Sequence, residues 1–230
     1  HLMPVVVLEA TDIHKSYDRG DETIPVLNGL TVSLDAGSFT TLVGPSGCGK
    51  STLLHICGAM DRPTSGAVRL DGESLDTLND DGLTRVRRER VGFVFQFFNL
   101  LPTLTVEQNI GLPLLLKGRS VQSVANLSGQ WAERVGISHR LNHFPSQLSG
   151  GEAQRVAIAR AVIHQPALIL ADEPTGNLDS ETGRTILDVL IDVNRDSGAA
   201  LLLATHDPAV AAAAGEVIQM RDGLITRDAS

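Results

Sequence analysis

Two hundred and thirty residues, 42% hydrophobic and 20% charged, are enough for one large cored domain and exclude a disordered or collagen-like chain. A formal net charge of −8 argues against nucleic acid as a principal partner. The longest apolar runs, residues 201–204 and 209–214, fall far short of the ~20 residues a membrane span needs, and no charged-then-apolar signal segment opens the chain. His1-Leu2-Met3 reads as an added segment before a natural start, and two cysteines make no disulfide framework, so the chain reads as cytosolic.

In chain order, β-branched runs at 5–13 and 26–34 predict two strands joined by the polar turn 18–22. A third strand, 39–43, runs into a glycine-rich loop and then a helix carrying Thr52, Leu53, Leu54, Ile56 and Cys57. Strands follow at 67–70 and 91–95. From 105 to 164 helical spacing takes over, and then strand and helix alternate again over 167–171, 181–195, 200–204, 208–214 and 217–220. This order predicts one α/β domain over 1–230: a mostly parallel sheet with helices on both faces, an N-terminal antiparallel β part, and a helical subdomain of about 97–165 inserted in the core.

Gly44-Pro45-Ser46-Gly47-Cys48-Gly49-Lys50-Ser51 has the spacing of a phosphate loop and leads into Thr52. Backbone N–H groups of such a loop curl around phosphate oxygens, and the following helix points its positive end at the same anion. Lys50 would reach the β- and γ-phosphates, and the Ser51 hydroxyl would ligate Mg²⁺. The apolar strand 167–171 ends in Asp172 and Glu173. Read alone, these acids could cap a turn. Beside a phosphate loop, Asp172 would hold Mg²⁺ through its water shell and Glu173 would polarise the attacking water as general base. Ser149 reads as an N-cap followed by Gly150 and Gly151, a second ready-made anion site suited to the nucleotide of another molecule. Leu127-Ser128-Gly129-Gln130 is a partial copy of that run and reads as coincidence.

Together these motifs resemble the nucleotide-binding subunits of ABC transporters over about residues 5–225. Leu148–Gln154, written out as Leu-Ser-Gly-Gly-Glu-Ala-Gln, resembles the family signature, Gln96 its glutamine loop, Asn177-Leu178-Asp179 the loop after the acidic strand, and His206 its switch histidine. Tyr17 lies where the family stacks an aromatic on adenine. The resemblance implies a P-loop core using ATP and Mg²⁺, with Glu173, His206 and Lys50 catalytic and Ser51, Gln96 and Asp172 at the metal. It also implies two ATP molecules in a head-to-tail pair of identical subunits, each between one phosphate loop and the other copy's Ser149, Gly150 and Gly151, with Asp179 also at the nucleotide.

Met60-Asp61-Arg62-Pro63-Thr64-Ser65-Gly66 and the run from Asn99 to Thr105 are similar to the lipoprotein-releasing and macrolide-export ATPases. Ala153 and Gln108 depart from the commoner glutamine and glutamate. The expectation is an ATP-hydrolysing subunit on the cytoplasmic face of the inner membrane, driving export or release of a lipoprotein, peptide or hydrophobic compound through a separate permease. An importer or a non-transport system of the same family is the alternative. Four of the six phenylalanines lie in Phe93-Val94-Phe95-Gln96-Phe97-Phe98, with Phe93 and Phe95 expected on one buried face and Phe97 and Phe98 expected as an exposed pair facing the permease.

Overall fold

The computed structural model describes residues 5–226, so His1-Leu2-Met3 lies outside the described residues. Strand β1 (Val6–Arg19) and strand β2 (Glu22–Asp35) form a long antiparallel hairpin that turns at Gly20. It is longer than the apolar runs suggest, because its outer end is an exposed ribbon without apolar alternation. Strand β3 (Phe39–Val43) leads through the glycine-rich loop to helix α1 (Lys50–Cys57). Strands β4 (Ser65–Leu70) and β5 (Glu73–Ser74) complete a four-stranded sheet of order β2-β1-β4-β5.

Helix α2 (Asp80–Arg90) and strand β6 (Val91–Val94) follow. Helix α2 has no apolar stripe legible in the sequence, because it buries only Leu83 and Val86. Its termini sustain it: Asn79 caps the first turn from Gly82 N–H, Asp80 and Asp81 lie at the positive end, and Arg87, Arg88 and Arg90 at the negative end. The chain then becomes helical through α3 (Val106–Leu116), α4 (Val121–Arg134) and α5 (Gly150–Val162). Gln108 keeps the reciprocal cap with Thr105 that a glutamate would make, so that departure leaves the start of α3 intact. Ser128 lies fully buried inside α4, so its glycine run opens no helix.

Strand β7 (Leu168–Asp172), helix α6 (Ser180–Ser197), strand β8 (Ala200–Thr205), helix α7 (Pro208–Ala211) and strands β9 (Glu216–Arg221) and β10 (Leu224–Thr226) finish the fold. The second sheet runs β10-β9-β3-β8-β7-β6, parallel from β9 to β6 with only β10 antiparallel. Its strands β7 and β8 are buried on both faces, whereas β9 and β10 are largely exposed. Leu168, Leu170, Leu202 and Ala204 join the apolar cluster shared with the hairpin and α1, while Ile169, Ala171, Leu201 and Leu203 join the one under α3, α5 and α6.

Register fixes what matters next. Val43 pairs with Thr205, Asp172 with Ala204, and Val94 with Ala171. The C-terminal ends of β3, β8, β7 and β6 therefore share one edge, the side of an open α/β sheet where ligands bind.

Candidate functional site

That edge carries a cleft of about 560 Å³. Residues 45–47 and 49–52 form its floor, Val26 comes from the hairpin, and Gln96, Glu173 and His206 come from the ends of β6, β7 and β8. Gly49 sits at φ 105°, a conformation side-chain-bearing residues rarely adopt, and it starts α1 without any side-chain cap. By contrast α2, α3, α4, α5 and α6 are each capped by a side chain. The N-terminal N–H groups of α1 are thus left for an anion.

Lys50 is 5% exposed, and its ammonium donates to the carbonyls of Gly44 at 2.8 Å and Pro45 at 3.0 Å. It also stands 3.7 Å from Glu173 Oε1. The other carboxylate oxygen of Glu173 meets His206 Nδ1 at 2.5 Å. Glu173 has φ 47°, a strained position for a residue with a side chain, and its backbone is pinned on both sides. Its N–H donates to the Ala204 carbonyl, and its own carbonyl accepts from Gly176 N–H. One residue earlier, Asp172 Oδ1 is buried without a hydrogen-bond partner. An orphaned carboxylate oxygen at this edge fits a cation held with phosphate and water oxygens, as Mg²⁺ is.

Gly44 and Cys48 do not line the cleft. Gly44 serves it through its carbonyl on Lys50, and Cys48 is buried in the loop's hydrogen bonds to Pro45 and Gly223. Tyr17 stands at the hairpin end, 43% exposed, its phenol donating to Asp61.

Ser149, Gly150, Gly151 and Asp179 are not in this cleft but are brought together elsewhere. Ser149 caps α5 and exchanges a reciprocal pair of bonds with Glu152. The carboxylate of Glu152 is held further by Arg140 Nε at 2.9 Å, and backbone bonding at Ser149 together with Arg140 lowers its pKa to about 2 against the cost of burial. A Cβ on Gly151 would come within 2.5 Å of Thr182 and one on Gly150 within 3.0 Å of Leu178, so glycine lets α5 close onto the start of α6. There Asp179 caps α6 through the N–H groups of Glu181 and Thr182.

Three residues tie these parts together: Gln154 and Asn177, which lie inside runs matched to the family, and Arg160, which lies outside any motif. Gln154, fully buried in α5, donates to the Pro174 carbonyl at 2.7 Å and the Phe95 carbonyl at 3.4 Å. Asn177 donates to the Gln96 carbonyl. Arg160 donates to the carbonyls of Phe98 and Asn99, which both have positive φ. Gln154 closes the signature run Leu148–Gln154, but its bonds to Pro174 and Phe95 left no trace in the sequence. Phe93 and Phe95 do share a face, with stacked rings 4.3 Å apart, but they are half-buried because that face opens on a groove of about 490 Å³ bordered by α3 and α5. The expected exposed pair is only half exposed. Phe97 is 72% exposed, whereas Phe98 is half-buried.

A glycine loop opening an uncapped helix, with two acids at the tip of the parallel strand one place removed in the sheet, defines a P-loop nucleotide hydrolase. The sequence profile described as ABC transporter matches residues 27–176, and the chain belongs to that family as one of its ATP-binding, ATP-hydrolysing cassettes. It is 45% identical over 222 residues to the macrolide export ATP-binding/permease protein MacB of Shigella flexneri, covering 96% of this chain but 34% of that one. It therefore spans about a third of that relative. It is also 45% identical over 222 residues to the lipoprotein-releasing system ATP-binding protein LolD of Geobacter metallireducens, covering 96% of this chain and 99% of that one. The structure of the ATP-binding cassette MJ0796, dimeric and bound to ADP and Pi, superposes with a TM-score of 0.89 at 40% identity, covering 96% of this chain and 97% of that one.

Proposed function

We propose that this chain works as a head-to-tail pair that hydrolyses Mg-ATP to drive a membrane permease, exporting or releasing a lipoprotein, peptide or hydrophobic compound. One observation carries the reading: the order of strand ends sets Lys50, Gln96, Glu173 and His206 around one cleft, while Ser149, Gly150 and Asp179 gather at a separate surface. A nucleotide needs both sets, so the second comes from another copy. Similarity to MacB and LolD supports the substrate class, and the dimeric MJ0796 cassette supports the pairing. The unit is a single nucleotide-binding domain over 1–230, with about 97–165 as its helical subdomain.

In the pair, the loop amides of Ser46, Gly47 and Gly49 and the Lys50 ammonium hold the β- and γ-phosphates. Tyr17 offers a ring to the adenine. Ser51, Gln96 and the water shell of Asp172 hold Mg²⁺, which neutralises charge on the phosphate oxygens when bound. Glu173 takes a proton from the attacking water, and His206 orients that carboxylate through the Nδ1 contact. Ser149 and the free amides of Gly150 and Gly151 close over the γ-phosphate of the partner's nucleotide. The groove beside Phe93 and Phe95 receives the permease, which places the chain at the cytoplasmic face of the cell membrane. No helix among the described residues is long and apolar enough to cross a membrane itself.

The test is co-purification of the tagged chain from solubilised membranes, with phosphate release measured with and without Mg²⁺. Capture of an integral-membrane protein together with Mg²⁺-dependent ATP hydrolysis supports the reading. Absence of either overturns it.

A further inference from the structure

Tyr17 is the only tyrosine of the chain, and its ring is held at the tip and on one face. The phenol donates to Asp61 Oδ2 at 2.8 Å. Over one face stands the Lys15 ammonium, 4.7 Å from the ring centroid. The same ammonium donates to Asp61 Oδ1 at 2.8 Å and to the Arg62 carbonyl at 2.7 Å. Asp61 Oδ1 also accepts from the Arg62 amide at 2.7 Å.

Lys15 and Tyr17 lie on one side of β1 by strand alternation, and Asp61 comes from the turn after α1. The clamp therefore joins the hairpin to the helix that starts at the phosphate loop. Its protonation states are matched. Burial pushes the Asp61 carboxyl up, but bonds from Lys15, Tyr17 and the Arg62 amide outweigh this and hold it below its ordinary range. Burial and the Asp61 bond push the Tyr17 phenol up, so it remains a donor.

With the hydroxyl anchored and a cation on one face, the ring has one face left for a flat ligand. We propose that Lys15 and Asp61 are positioning residues that hold Tyr17 as a one-sided stacking platform for the adenine ring. This rests on the reading of Tyr17 given under Proposed function. Fixing the ring before the base arrives removes the ordering cost that a free side chain would incur on binding. The clamp acts on the base and not on the phosphates, which the loop and Lys50 hold separately.

The experiment compares ATP hydrolysis with inhibition by inorganic tripolyphosphate, which has no base. Asp61→Asn and Lys15→Met are each expected to raise KM for ATP about 3- to 10-fold, the scale of one lost hydrogen bond, with kcat at saturation and tripolyphosphate inhibition unchanged. Tyr17→Phe loses only the hydroxyl, so it should give a similar rise and add nothing further to Asp61→Asn. Additive effects, or tripolyphosphate binding lost together with ATP binding, would show a general effect on folding and overturn the proposal. Tyr17→Ala separates the two readings. If it leaves KM unchanged, the base-facing role of Tyr17 itself fails. If it raises KM while Lys15→Met and Asp61→Asn do not, only the positioning role fails. Should Asp61→Asn not fold, Lys15→Met and Tyr17→Phe carry the same comparison.

Discussion

Glu173 Oε2 lies 2.5 Å from His206 Nδ1, although the two residues come from different strands. They meet because β7 and β8 are parallel neighbours in a register that pairs Asp172 with Ala204, so each strand delivers its next polar residues to the same point of the edge. The remaining oxygen of Glu173 faces Lys50 at 3.7 Å, which leaves the carboxylate with its orientation set from both sides.

Glu173→Gln keeps the size of the side chain and removes most of its basicity. ATP binding is expected to survive while turnover falls on the order of 10²–10⁴. A pair stabilised by Mg-ATP should then accumulate in sedimentation runs. Turnover near that of the parent protein would exclude Glu173 as the base.

Ser149→Arg places a bulky cation at the positive end of α5 and removes a cap worth about 0.5–2 kcal/mol. Each copy keeps its own phosphate loop, so nucleotide should bind while pairing and hydrolysis are lost together. Mixing this variant with Lys50→Ala gives a pair with one doubly defective site and one intact site, and part of the activity should return. Failure to complement would count against sites shared between copies or against their independent firing.

Phe97 and Phe98 should separate by mutation. Phe97, at 72% exposed, can be changed to alanine with little effect on Tm or ATP binding, but permease capture should fall. Phe98 is half-buried, at φ 62°, and its carbonyl is held by Arg160. Phe98→Ala is therefore expected to lower stability by about 1–3 kcal/mol in urea unfolding. Equal effects of both changes on permease capture, with no loss of stability for either, would contradict this division.

His164 sets a pH dependence of stability. Burial, and secondarily Lys117, lower its pKa to about 4, although the ring donates from Nε2 to the Val91 carbonyl at 3.0 Å. An unfolded histidine titrates near ~6.5. Between these values the unfolded chain takes up a proton that the folded chain refuses, so stability falls as pH drops from about 6.5 to about 4 and this contribution then levels off. His164→Gln should flatten that part of the curve in urea unfolding at pH 7, 5.5 and 4.5. An unchanged slope would remove His164 as its source.

The chemistry-bearing segments were legible in the sequence because each is short and local. The loop from Gly44 to Ser51 and the strand ending in Asp172 and Glu173 carry their function in contiguous spacing, and Ser149 announces a helix start through its own side chain. The parallel sheet was legible as well, since alternation of strand and helix permits few other arrangements. Helix α2 was not, because its stability comes from caps and charges at its ends instead of an apolar stripe. The outer hairpin was not either, because exposed strands lack the alternation that marks a buried face.

What the sequence determined by itself was therefore a set of local devices: a loop shaped for phosphate, an acidic strand tip, a capped helix start, and the order in which they occur. Only the tertiary structure decided which of them meet. Strand register set Glu173 against His206 and Lys50, and close packing at Gly151 brought Ser149 toward Asp179 and away from the cleft. Contacts such as Gln154 on Pro174 or Asp61 between Lys15 and Tyr17 join residues far apart in the chain through single polar atoms. A hydrogen bond of that kind leaves no periodicity or composition behind, because its geometry exists only once the strands and helices are packed.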